Sequence, residues 1–202
     1  MNILGLDQAT TTGWAVCPDD PAQFTPEVVR LGHFKAPKRP LQSERLAHIH
    51  RSLTDLVGRF DPGLIVIEQP FFPWQGTGGS AAPAADGAEP KRSKWTFNKD
   101  TVIWLHMIKG VPRAFCGAPT IPFEDSPPQS WRKTFTGWGF APQGEDENWM
   151  KREVMALAKK QGFEPSIQDE ADALGVLKHA IVGPPGHKRR QGDLFAMMTE
   201  TL

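Results

Sequence analysis

Four carboxylates stand where strands and helices could deliver them to one point. Asp7 closes the apolar run Ile3-Leu4-Gly5-Leu6, Glu68 closes Leu64-Ile65-Val66-Ile67, and Asp169 and Asp172 open an apolar helical stretch near the C-terminus. A carboxylate ending a buried strand costs desolvation energy, which makes it a marker of chemistry. Asp169 and Asp172 are three residues apart and so share a helix face. With no histidine or thiol cluster beside them, four such acids suit a hard, oxygen-binding cation, Mg²⁺ or Mn²⁺. Crowded carboxylates repel one another unless cations sit between them. The implied chemistry is phosphoryl transfer with two metal ions roughly 3.5 to 4 Å apart, clamping the attacking and leaving oxygens. Taken singly, each acid also has a plain reading as a turn cap or an N-terminal helix residue. Their order and element context together favour the catalytic reading.

The elements that must position these acids follow from periodicity. Residues 2–7 read as a buried strand, and 10–16 and 28–34 as the next two strands of an antiparallel meander. Leu46, Ile49, Leu53, Leu56 and Val57 then fall on one helical face within 41–59, and Asp61-Pro62-Gly63 stops that helix. The run 64–67 is apolar on both faces, as suits a central strand. If it lies parallel to the first strand, Asp7 and Glu68 sit at neighbouring ends. Residues 73–95 are rich in Gly, Ala, Pro and Ser and end in a basic run, which predicts an insertion loop. Helices are expected over 96–109, 129–135, 147–161 and 168–182, and a short strand over 119–123. The chain thus divides into a domain over 1–182 and a basic linker and tail over 183–202. His179 is expected to be an exposed helix residue, and Trp74, Trp95, Trp131 and Trp138 to be core or loop anchors.

The 202 residues, 39% hydrophobic and 23% charged, suit one soluble globular domain. No apolar stretch approaches the ~20 residues of a membrane helix, and the opening strand pattern is unlike a signal peptide, so a cytoplasmic location is expected. Cys17 and Cys116 show no pairing or zinc pattern and read as reduced thiols. The 23 basic and 23 acidic residues balance, so attraction to nucleic acid would need local convergence of basic runs such as 35–39, 132–133 and 188–190.

Three segments resemble the RuvC-like Holliday junction resolvases of the ribonuclease H-like superfamily. They are Ile3-Leu4-Gly5-Leu6-Asp7 with Thr12-Gly13-Trp14-Ala15-Val16, then Ile67-Glu68-Gln69-Pro70-Phe71, then Asp169-Glu170-Ala171-Asp172-Ala173-Leu174. The resemblance implies an α/β ribonuclease H-like fold, with a mixed five-stranded sheet of three antiparallel and two parallel strands flanked by helices. It implies a structure-selective DNA endonuclease with two Mg²⁺ or Mn²⁺ ions per active site, held by Asp7, Glu68, Asp169 and Asp172. Metal-bound water would cleave the phosphodiester to a 5′-phosphate and a 3′-hydroxyl. Lys151 matches a lysine near the scissile phosphate, and Arg132 or Lys133 falls in the region of another basic residue. Phe71 matches an aromatic used against unpaired or distorted bases; its other reading is packing under the insertion. The implied partners are branched DNA, whether junction, flap or fork, and a second copy of the chain in a two-fold dimer.

Gln191-Gly192-Asp193-Leu194-Phe195 resembles the peptides with which bacterial replication proteins dock on the sliding clamp. Gln191 would meet the rim of a hydrophobic pocket, and Leu194 and Phe195 would fill it. Packing on the protein's own surface is the other reading. Two alternatives of other classes stay open. Gly5-Leu6-Asp7 with Thr10-Thr11-Thr12-Gly13 also resembles the phosphate-binding turn of actin-like ATPases and sugar kinases, although the length leaves little room for their second domain. The other alternative is a noncatalytic branched-DNA or clamp-binding module.

Overall fold

The computed structural model describes residues 1–38, 41–69, 99–116, 121–146 and 148–200. Phe71 and the insertion expected at 73–95 lie outside them, as do the side chains of Leu194 and Phe195. Strands β1 (Asn2–Gln8), β2 (Thr11–Pro18), β3 (Arg30–Lys35), β4 (Pro62–Glu68) and β5 (Phe123–Ser126) form one sheet in the order β3-β2-β1-β4-β5. β1, β2 and β3 run antiparallel, whereas β4 and β5 lie parallel to β1 and to each other. Helix α1 (Gln42–Phe60) makes the crossover from β3 to β4 and ends where Asp61 turns left-handed at φ 44°, a conformation Asp tolerates better than most residues.

Alternation along the strands sorts side chains onto two cores. Ile3, Ala15, Cys17, Leu64 and Val66 pack under α3 (Pro128–Thr136), α4 (Trp149–Lys160) and α5 (Gln168–Val182). Leu4, Leu6, Val16, Ile65 and Ile67 face α1 and α2 (Lys99–Cys116) on the opposite side. Helix α5 is the central one. It crosses β1 and β2 and is itself covered by α3, α4 and α6 (Pro184–Glu200), so apolar residues ring it on nearly every side.

Close passage of α5 over the sheet needs a missing side chain. Gly13 on β2, the register partner of Asp7, lies against the start of α5, and a Cβ there would run into the Asp169 backbone. Gly13→Ala is therefore expected to destabilise the fold by about 3 kcal/mol, because backbone rather than a flexible side chain must yield. Urea denaturation checks this, and a loss below about 0.5 kcal/mol, the scale of an ordinary surface substitution, would contradict it.

Four expectations change. Of the strand expected over 119–123, residues 119 and 120 lie outside the described residues; the observed strand begins at Phe123, because Pro122 has no N–H to donate; its carbonyl accepts from Ile65, and the ladder continues through Glu124 and Asp125. An edge strand tolerates those charges. Helix α2 runs past Lys109, through Gly110 and Pro112, to Cys116. The tail expected as a linker is helical over Pro184–Glu200, starting on prolines whose missing N–H groups a first turn does not need. Its basic run docks the helix: Arg189 reaches Asp19 at 3.2 Å and Glu124 at 3.1 Å, and Arg190 donates to the Ile181 carbonyl at 2.8 Å. His179 is only 6% exposed because α6 covers that face of α5, and its Nδ1 lies 2.7 Å from the Thr134 hydroxyl. The Cys17 thiol is buried and free, and burial, aided by Asp20 and Asp19, pushes its pKa up to about 11.

Candidate active site

Asp7 follows Leu6, and Glu68 follows Ile67, the last residue pair in the parallel β1/β4 register. Counting along each strand puts both acids on the α5 side, in line with Ile3 and Leu64 respectively. Asp7 is buried and Glu68 half-buried. The first turn of α5 reaches the same point, with Asp169 and Asp172 both half-buried.

The residue between them has a structural task. Glu170 is buried, accepts from the Ser166 N–H and hydroxyl through one oxygen, and lies 2.7 Å from His33 Nδ1 on β3 through the other. Burial works to raise the Glu170 pKa, but these hydrogen bonds outweigh it and hold the group below its ordinary value. The start of α5 is thereby tied to the sheet. Gln168 donates to Asp172 Oδ1 at 2.7 Å and fixes that carboxylate's orientation.

The acids burden one another. Burial, then the charges of Glu68, Asp172 and Asp169, raise the Asp7 pKa well above its ordinary value against the pull of Lys109. Burial chiefly lifts Asp172 to about 7, opposed by the Gln168 hydrogen bond and Arg132 and reinforced by Glu68 and Asp169. Asp169 is raised by burial and eased by His33 and Lys151.

Glu68 is gripped on both oxygens. Trp131 Nε1–H donates to Oε1 at 3.2 Å, Arg132 Nη2 stands 3.9 Å from the same oxygen, and Lys109 Nζ is 3.8 Å from Oε2. Lys109 also donates to the Glu68 backbone carbonyl at 2.8 Å and is only 5% exposed. Burial lowers its pKa, while Glu68 and Asp7 work to keep it charged.

No family model matches the chain. The crossover junction endodeoxyribonuclease RuvC of Chloroflexus aggregans is 25% identical over 186 residues, covering 91% of this chain and 95% of that protein. Among solved structures, Thermus thermophilus RuvC in complex with a Holliday junction substrate superposes with a TM-score of 0.63 at 20% identity, covering 92% of this chain and 96% of that one. The chain is RuvC-like. The yeast mitochondrial Holliday junction resolvase shares the fold at 11% identity, with a TM-score of 0.57 over 96% of this chain and 85% of its own.

The RuvC-like chain thus has the expected mixed five-stranded sheet, with Glu68 and Asp169 close enough to Asp7 and Asp172 for their charges to raise the pKa values of those two. Among the described residues no three of these side chains close around a single point as a complete metal cage. Mg²⁺ commonly takes one or two carboxylates and completes its shell with water and substrate phosphate. The acids' mutual repulsion calls for positive charge, and the Ser126 hydroxyl and Arg132 Nε are buried near Glu68 without a hydrogen-bond partner among the described residues. The residues present fit a hydrated divalent cation with a phosphate.

Of the expected basic residues, Arg132 is the one beside Glu68. Lys133, the next residue on α3, borders surface grooves away from the carboxylates, and Lys151 on α4 is exposed with its charge felt at Asp169. Lys109, Trp131 and Gln168 were not singled out from sequence as site residues. Helical phase could have suggested Gln168, four residues before Asp172. Among the described residues no helix is long and apolar enough to cross a membrane.

Proposed function

We propose that the chain is a metal-dependent, structure-selective DNA endonuclease that cuts Holliday junctions or other branched DNA, leaving a 5′-phosphate and a 3′-hydroxyl. The supporting observation is the burial of Asp7 among three further carboxylates, one of which, Glu68, is bracketed by Lys109 and Arg132. Such a group is poorly explained by packing and well explained by bound cations. When bound at Asp7, Glu68, Asp169 and Asp172, two Mg²⁺ or Mn²⁺ ions supply an activated water and offset charge developing on the phosphate oxygens.

The chain's own groups orient and neutralise. Asp7, at the centre of the set, would be a ligand together with Glu68, which Trp131 and Lys109 hold in place, and the α5 pair Asp169 and Asp172. Arg132 and Lys151 meet the phosphate. Phe71, which follows β4, leans on a base at the branch. Lys109→Met frees Glu68 at both its carboxylate and its carbonyl, and is expected to lower kcat about tenfold to a hundredfold while junction affinity changes little. An unchanged kcat would remove Lys109 from the site.

Two copies about a two-fold axis would place paired cuts on opposing strands, in the cytoplasm, with the segment from Gln191 to Phe195 offered to a sliding clamp. The test is incubation with labelled four-way junction, flap and linear duplex DNA plus Mg²⁺ or Mn²⁺. Paired symmetric nicks on the junction support a resolvase, and a preference for flaps keeps the chemistry but changes the substrate. Absence of metal-dependent cleavage of any of these DNAs overturns the reading.

A further inference from the structure

We propose that Trp138 and Phe140, on the connector after α3, form a stacking platform for an unpaired base of branched DNA, with Lys133 taking the adjoining phosphate. The inference rests on the nuclease reading and adds a second contact to it. Trp138, expected to be an anchor, is 51% exposed, and Phe140 is 66% exposed.

The connector is built to hold them there. Gly137 ends α3 in the left-handed conformation at φ 85°, which a side chain would resist. The Thr136 hydroxyl accepts from the Trp138 N–H at 3.0 Å, and the Trp138 ring stands edge-on to Trp149 at 6.3 Å. One side of the indole is therefore fixed while about half the residue stays in water. A ring positioned in advance loses little freedom when a base stacks on it.

Charge selects the occupant. Trp138 and Phe140 border a groove of about 540 Å³ that also takes in Gln129, Lys133 and Pro142 and has no acidic residue among the described residues that line it. Lys133 forms no ion pair with a described residue, and Asp146, farther along the connector, is tied to Arg152 at 2.9 Å. Two rings beside a free ammonium match the alternation of base and phosphate in a single strand. Arg132, one residue before Lys133, stands at Glu68. The groove and the carboxylates are thus reached from different faces of the same helix. Bases are available for stacking only where DNA is unpaired, so the platform favours branched over linear duplex DNA.

The test uses the full chain with Asp7→Asn, which keeps DNA uncut, and a synthetic four-way junction carrying 2-aminopurine at the branch. Adding Trp138→Ala and Phe140→Ala together is expected to weaken junction binding about tenfold, to abolish the quenching of 2-aminopurine on binding, and to leave linear duplex binding unchanged. Phe140→Ala alone, which leaves the Trp138 contact with Trp149 in place, should show part of the loss, and Trp138→Phe should retain binding. Equal junction affinity and quenching in the double substitution and its parent overturn the platform and leave the nuclease reading standing. A wild-type chain that neither cuts nor prefers branched DNA overturns both.

Discussion

Asp7→Asn is expected to lower metal-dependent cleavage by about a thousandfold or more while making the metal-free protein more stable at pH 7.5. The two effects have one cause. Burial and the neighbouring Glu68, Asp172 and Asp169 make the charged form of Asp7 unfavourable in the fold, which is why its pKa is raised. Asparagine keeps the shape and removes the charge, so a gain in stability is expected in denaturation with chelator present. On the nuclease reading, the charge that burdens the metal-free fold is the one proposed to hold cations, and asparagine cannot replace it as a charged ligand. Cleavage by the variant at near parental rate would remove Asp7 from catalysis. A less stable variant would show that Asp7 is a satisfied structural carboxylate.

Stability with chelator present is expected to fall between pH 5 and pH 8, and divalent cations to reverse most of the fall. The sign follows from the raised pKa values. A carboxyl whose folded pKa lies above its unfolded one binds its proton more tightly in the fold, so it adds stability at low pH. For Asp172 that contribution is complete below about the ordinary value of 3.8 and is lost as pH climbs through the folded value of about 7. Asp7 shifts in the same direction and adds to the loss. Because the acids are coupled and Asp172 is partly open to solvent, about 2 kcal/mol is expected over this range, not the sum of separate shifts. Mg²⁺ needs the ionised carboxylates, so its effect grows with pH. At a hundredfold excess over its dissociation constant it adds about 2.7 kcal/mol. Thermal unfolding with EDTA or Mg²⁺ at the two pH values checks this. A pH-independent melting temperature with chelator present would contradict the crowding of the acids.

The strands carrying Asp7 and Glu68 were legible because each buried run ends in a lone acid, and parallel pairing then brings those ends together. The pair on α5 was legible for a similar local reason: three residues is nearly one turn. Lys109 was not, because Gly110 and Pro112 read as the end of its helix, and only packing of the continued helix against the sheet buries the ammonium at Glu68. Choosing between Arg132 and Lys133 needed the rotation of α3, set by Trp131 and Phe135 entering the core. The tail was misread because arginines in a short run look solvated until Asp19 and Glu124 are brought beside them by the sheet. Local pattern located the candidate carboxylates; the groups that surround them depend on contacts distant in sequence.

The site joins β1 to α5, which follows all five strands in sequence and packs across β1 and β2. During synthesis on the ribosome, Asp7 and Glu68 emerge long before Asp169 and Asp172. A nascent or clipped chain lacking α5 has neither the second pair of acids nor the helix that covers the sheet, so it can neither assemble the cation site nor close its core. On the nuclease reading this is a built-in checkpoint: competence to cut would arrive with completion of the fold, and damaged copies would fall silent.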